Sequence, residues 1–259
     1  MAALQVIVTR PREQAEGWLP ALRAAGFEAH ALPLIEIAPG PDPAAVRQAW
    51  ASLPGCTLAM FVSVHAVRHF FEAAPPAGPH WPAGTRAGST GAGTSAALRA
   101  FGVPAGCIVE PPEGARADSE GLWQVLCRYD WQGAQVLVVR GEQGRDWLAE
   151  TLTAAGAAVR FVAAYARRSP ALSPAEVERL QAARAHPAAH AWVFSSAEAV
   201  QQLAQATPGA AWGSSQAVAT HPRIAQAVRE AGFGRVQEAA GAQLPAVLAA
   251  LAHLQSETS

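Results

Sequence analysis

VIVTR at residues 6–10, followed by Trp18, Leu19 and the run Ala24-Ala25-Gly26, returns as LVVR at residues 137–140, followed by Trp147, Leu148 and Ala154-Ala155-Gly156. Arg10 and Arg140 stand 130 residues apart, and so do Gly26 and Gly156. Further on, MFVS (60–63) with Ala66-Val67 returns as VFSS (193–196) with Ala199-Val200, at an offset of 133. Ala100-Phe101-Gly102 is echoed by Ala231-Gly232. Landmarks recurring in one order at a near-constant spacing mark a duplicated unit. Two similar lobes follow from it, and a ligand is expected in the cleft between them.

Each copy opens in the same way. Leu4–Thr9 is a short apolar run stopped by Arg10-Pro11, where proline ends a strand and can start a helix. Ala15, Trp18, Leu19 and Leu22 then fall at helical spacing, and Gly26 terminates the pattern. In the second copy the strand is Val136–Val139, the helix face is Trp147, Leu148 and Leu152, and the stop is Gly156. Thr57–Val62, Ala191–Phe194, Thr85–Gly88 and Gln216–Ala219 read as further strands, each leading into a helix. Strand, turn, helix, glycine, strand is the start of a parallel α/β unit. Breakers at Pro39–Pro43, Ala73–Pro82, Pro111–Gly114 and Ser169–Pro174 are expected to be surface loops or hinges. Leu34–Ala38 and Ala164–Arg168 are β-like connectors at equivalent places in the two copies.

At 259 residues with 51% hydrophobic and 15% charged residues, the chain can bury a substantial core, and the duplication favours two domains over one. A net charge of −1 offers no general attraction to nucleic acid or to an anionic membrane. All 19 basic residues are arginine, which excludes Schiff-base lysine chemistry and any P-loop ending in Gly-Lys. Cys56, Cys107 and Cys127 are widely spaced and read as small hydrophobes, without disulfide or zinc spacing. No run approaches the roughly 20 apolar residues of a membrane span, and no charged leader precedes the first strand, so a cytoplasmic protein is expected.

In open parallel sheets, ligands sit beyond the carboxyl ends of strands. The residues there are Thr9 and Arg10, Ser63, Ser89 to Thr94 with Gly91 between them, Arg140 and Gly141, Ser195 and Ser196, and Thr220 to Arg223 with His221 between them. Hydroxyls, glycines and arginines suit an anion, through exposed backbone N–H groups and guanidinium forks. Singly, a serine after a strand is an N-cap and an arginine a surface ion pair; six such places aimed into one space favour an anionic ligand. The run GSTGAGT (88–94) lies between a strand and a helix, but its spacing is G-x-x-G-x-G and no acidic residue closes a second strand, which argues against a nicotinamide or flavin cofactor. The eight histidines are scattered, and His65/His69 lack the glutamate of a zincin motif. No G-x-S-x-G elbow and no paired carboxylates point to hydrolysis. Tyr165, one of two tyrosines, lies on the second connector, where its hydroxyl is a candidate proton donor.

The ordered set VIVTRP (6–11), LPLIEI (32–37), FVS (61–63), GAGT (91–94), ADSEGL (117–122), VVRG (138–141), AYARR (164–168), FSS (194–196) and ATHPRIA (219–225) resembles the uroporphyrinogen-III synthase family over almost the whole chain. The resemblance implies two flavodoxin-like parallel-sheet domains joined by a two-stranded β connector. One domain would combine residues 1–34 with 169–259, the other would span 38–163, and 34–38 with 164–168 would connect them. It implies dehydration of hydroxymethylbilane and closure to uroporphyrinogen III, with ring D inverted through a spiro intermediate, in tetrapyrrole (haem) biosynthesis. No metal or cofactor is implied. Tyr165 is the implied catalytic residue, and Arg10, Ser63, Ser89, Gly91, Thr94, Arg140, Gly141, Ser195, Ser196, His221 and Arg223 the implied substrate ligands. A monomer is expected, with the upstream deaminase as candidate partner and with no nucleic acid or membrane. The residues alone leave two alternatives open: a two-lobed nucleotide-sugar glycosyltransferase, and a non-catalytic anion-binding module. The first would want a ribose-binding carboxylate and a diphosphate loop in the second half, and neither is evident.

Overall fold

The computed structural model describes residues 4–75 and 80–256; part of the expected loop at Ala73–Pro82 therefore lies outside the described residues. The chain divides into two compact units, one of residues 1–36 and 168–259, the other of residues 37–167.

The first unit carries a five-stranded parallel sheet. Its strands, numbered in chain order, are β1 (Gln5–Val8), β2 (Glu28–Ala31), β9 (His190–Phe194), β10 (Gln216–Ala219) and β11 (Arg235–Glu238), in the order β11-β10-β9-β1-β2. The central strands β9 and β10 are buried at every position, as expected for strands covered on both faces. Val6, Val8, Ala191, Val193 and Val218 face helices α1 (Arg12–Ala24) and α10 (Leu244–Ser256). Trp192 and Phe194 pack instead with Trp212 and Phe233 in stacked and edge-on pairs.

The second unit carries six strands: β3 (Glu36–Pro39), β4 (Leu58–Phe61), β5 (Arg86–Ser89), β6 (Ile108–Val109), β7 (Gln135–Gly141) and β8 (Ala158–Arg168). Their order is β3-β8-β7-β4-β5-β6. Period-two alternation divides the core. Leu58, Met60, Val136 and Val138 pack against α5 (Ser119–Leu126) and α6 (Trp147–Ala154). Ala59, Phe61, Leu137 and Val139 pack against α2 (Pro43–Ser52), α3 (Val64–Glu72) and α4 (Ala92–Ala100). The segments read as connectors fall on β3 and on the end of β8, which are neighbours in this sheet, and Gly40 N–H donates to the Ala164 carbonyl at 2.9 Å.

The duplication is visible in both sheets, but crosswise. β7 and β8 of the second copy sit beside β4, β5 and β6 of the first, in the same order in which β1 and β2 sit beside β9, β10 and β11. The first sheet therefore draws two strands from the first copy and three from the second, and the second sheet draws two from the second copy and three from the first, with β3 of the first copy added at its edge. The repeated glycines have a matching backbone role. Gly26 and Gly156, and likewise Gly102 and Gly232, follow helices α1, α6, α4 and α9 (Pro222–Glu230) at φ between 86° and 99°. That left-handed conformation closes a helix at little cost only without a Cβ.

Candidate functional site

The anion-suited residues gather at the carboxyl ends of three adjacent strands in each unit. In the second unit these are β7, β4 and β5. Ser63 follows β4 and caps α3, its hydroxyl accepting from Ala66 N–H at 3.2 Å. The same Ser63 Oγ donates to Tyr165 Oη at 3.3 Å. Tyr165 is 3% exposed and joins the core cluster. Its ring lies against Gly141 and beside the His65 and His69 rings, with centroids 5.9 and 6.3 Å away.

Beyond β5, Thr90 Oγ1 donates to the Val62 carbonyl at 3.2 Å and ties the ends of β4 and β5 together. Gly91 is the N-cap of α4 and makes no side-chain cap hydrogen bond to the first turn. Helix N-termini of this kind attract anions. Ser89 ends β5. It is fully buried, and its hydroxyl is engaged with Gly91 O at 2.9 Å and Ser95 Oγ at 2.7 Å. Its work is to shape the turn before α4. Thr94 is itself 6% exposed.

Arg140 follows β7 and is committed on several sides. Its guanidinium pairs with Asp146, donates to the Gly144 carbonyl at 2.8 Å and lies 5.0 Å from the centroid of the Phe161 ring. It thereby fixes the turn from Gly141 to Asp146. An open cavity of about 270 Å³ lies here, lined by Val62, Thr90, Ser119, Arg140, Gly144 and Arg145 among others. Arg145 reaches it from the turn that Arg140 holds, and it pairs with Glu120 at 2.5 Å. The Arg145 hydrogen bond holds the Glu120 carboxyl below the usual carboxylate range, and Glu120 in turn raises Arg145. Thr90 lies within the run Ser89 to Thr94 expected at a strand end, whereas Ser119 and Arg145 were not singled out from the sequence. ADSEGL (117–122) carries an N-cap signal at Asp118, whose carboxylate accepts from Gly121 N–H at 2.9 Å, but that signal predicts a helix start and not a cavity wall.

In the first unit the equivalent strand ends are those of β1, β9 and β10. Arg10 forks onto Gln14 Oε1 at 3.1 and 2.8 Å and lies 4.3 Å from the centroid of the Trp18 ring. Burial lowers its pKa. Ser196 caps α8 (Ala197–Ala206), accepting from Glu198 N–H, and Ser195 stands half-buried beside it. His221 caps α9 through Nδ1, which accepts from Arg223 N–H at 3.1 Å; the Arg223 side chain is exposed. Among the described residues, no helix is long and apolar enough to cross a membrane.

The family model for uroporphyrinogen-III synthase HemD matches residues 17–249. This chain belongs to the uroporphyrinogen-III synthase family. It is 31% identical over 255 residues to the uroporphyrinogen-III synthase of Salmonella typhimurium, covering 96% of this chain and 100% of that one. The corresponding figures for the Escherichia coli uroporphyrinogen-III synthase are 30% over 254 residues, 96% and 100%. Among solved structures, a mutant uroporphyrinogen III synthase from Thermus thermophilus aligns with a TM-score of 0.64 at 19% identity, covering 98% of this chain and 100% of that one. The Helicobacter pylori uroporphyrinogen-III synthetase aligns at 0.56 with 14% identity, covering 97% and 99%. At those identities the solved synthases establish the α/β fold with its parallel sheets.

Proposed function

We infer that this chain catalyses the cyclising dehydration of hydroxymethylbilane to uroporphyrinogen III, a lyase step of tetrapyrrole biosynthesis. Membership of the family supports the reaction, and the Ser63–Tyr165 hydroxyl pair supports a place for its acid chemistry. Leaving aside the edge strand β3, the five equivalent strands of each sheet, taken in repeat order, run 2-1-3-4-5, which supports a flavodoxin-like reading of both units.

The reaction breaks the C–O bond of the hydroxymethyl group, and with the inversion it forms two C–C bonds and breaks one, with no net change of oxidation state, so acid–base and positioning groups suffice. Tyr165 donates a proton to the leaving hydroxyl, and the pyrrole nitrogen lone pair expels water to leave an electrophilic methylene. With Ser63 Oγ donating to it, the Tyr165 oxygen keeps its own proton available and its developing negative charge is met by a hydrogen bond. The terminal ring attacks through its substituted carbon to give the spiro intermediate, which opens and re-closes with that ring inverted. The proton lost when the last ring regains aromaticity balances the one given to the leaving oxygen.

Because the uninverted product forms spontaneously in water, the larger part of catalysis is holding the chain ends in one geometry. The substrate bears eight carboxylates. The start of α4, Ser195, Ser196, Arg223 and the cavity beside Arg140 and Arg145 are groups that would hold them. The short life of the linear substrate favours direct supply by the upstream deaminase to a monomeric enzyme. Formation of the type III isomer from hydroxymethylbilane tests the assignment, and type I alone would refute it.

A further inference from the structure

The pairing of β7 with β8 is regular from Gln135 to Arg140 and then slips: Arg140 lies opposite Ala163, but Gly141 lies opposite Tyr165. Ala164 is the extra residue of a bulge, and bulges re-aim the side chain that follows. Two glycines hold this one. On the β3 side, Gly40 N–H donates to the Ala164 carbonyl, and a Cβ at position 40 would overlap the Ala163 carbonyl oxygen. On the β7 side, a Cβ at position 141 would stand 2.9 Å from Tyr165 Cζ, 3.0 Å from Cε2 and 3.3 Å from Oη. Neither glycine has a positive φ, so what both positions require is room rather than an unusual backbone. The Tyr165 ring cannot retreat cheaply, because Ser63, His65 and His69 border it and it belongs to the core cluster.

We propose that Gly141 is a positioning residue for Tyr165: its missing side chain lets the phenol lie flat against β7, and the bulge locked by Gly40 fixes where the hydroxyl stands. Gly141 was expected from the sequence to approach a ligand; here it acts through the tyrosine. The proposal rests on the reading of Tyr165 as proton donor, and its test separates the two.

The test is a cycle of kcat and KM for wild type, Gly141→Ala, Tyr165→Phe and the double variant, in the full-length enzyme. Phenylalanine keeps Cζ and Cε2, so an alanine at 141 disturbs the fold equally in both backgrounds, and only the wild-type background has a hydroxyl to misplace. Gly141→Ala is expected to lower kcat about tenfold with KM within about twofold, and to cost less than about twofold further in the Tyr165→Phe background. Equal losses in both backgrounds, or no loss in either, would overturn the positioning role while leaving Tyr165 as donor. Full turnover by Tyr165→Phe would overturn both. Should Gly141→Ala not fold, Ala164→Gly loosens the same bulge by removing only a methyl group. It is expected to lower kcat in the tyrosine background alone, and the same two contrary outcomes apply.

Discussion

Ser63 and Tyr165, 102 residues apart in the chain, meet hydroxyl to hydroxyl at 3.3 Å, the first from the carboxyl end of β4 and the second from β8. One comes from each copy of the duplicated sequence. The crosswise sharing of strands is what brings them together, since β4 and β8 flank β7 on its two sides.

If Tyr165 supplies the proton, removing its hydroxyl must slow the chemical step more than it weakens binding. Tyr165→Phe is expected to lower kcat about 10²-fold with little change in KM, and Ser63→Ala to lower it several-fold by the same measure. Steady-state kinetics on the two variants check this, with circular dichroism confirming that Ser63→Ala, which also loses its cap on α3, remains folded.

Arg140 and Arg145 line one cavity but are bound differently, and their replacement should separate. Arg145 is exposed and held by the Glu120 carboxylate, so Arg145→Ala should raise KM a few-fold at unchanged kcat, as loss of uniform binding does. The increase should shrink at high salt, where screening weakens the arginine's pull on a carboxylate. Arg140 holds Asp146, Gly144 and Phe161 together, so Arg140→Ala should lower the melting temperature, with a cost of about 1–2 kcal/mol. Thermal unfolding and initial-rate assays distinguish the two outcomes.

Glu176 is almost fully buried at the start of α7 (Pro174–Ala185), in a reciprocal cap with Ser173 and an ion pair with Arg12 at 2.8 Å. Burial pushes its carboxyl up, but the Ser173 backbone and hydroxyl and the Arg12 guanidinium outweigh it, and the net shift is downward. A carboxyl lowered on folding stabilises the protein above its unfolded value and loses that contribution as pH falls through the folded one. Glu176→Gln should therefore unfold at a lower temperature than wild type at pH 7, by about 1–2 kcal/mol. The gap should close as the pH is brought below about 4. Melting curves across that range measure it.

Much of the fold is legible in the residues, for identifiable reasons. The strand runs ending at Arg10 and Arg140, and the glycines at 26, 156, 102 and 232, are local signals, and each marks the element boundary that it indicates. Edge strands are not legible in this way. Glu28–Ala31 and Arg235–Glu238 are half polar, and Ile108–Val109 is too short to show a period. Apolar pattern also cannot choose a neighbour for β1, because β4 and β9 are both buried throughout and offer equivalent edges. At the site, Ser63 stands out by its place after a strand, and Tyr165 by its type and its place on the second connector. Ser119 and Arg145 reach the cavity through turns whose course depends on Arg140 and Asp118, which no spacing rule records. Ser89 shows what a strand-end position leaves unsaid: a hydroxyl there can be engaged inside its own turn.

The most direct test supplies hydroxymethylbilane, made in place from porphobilinogen by the deaminase, to the purified full-length protein. The products are then oxidised and their isomers separated. Type III uroporphyrin should predominate, at a rate proportional to enzyme and far above that of Tyr165→Phe. Type I alone, accumulating at the rate seen without the protein, would contradict the account.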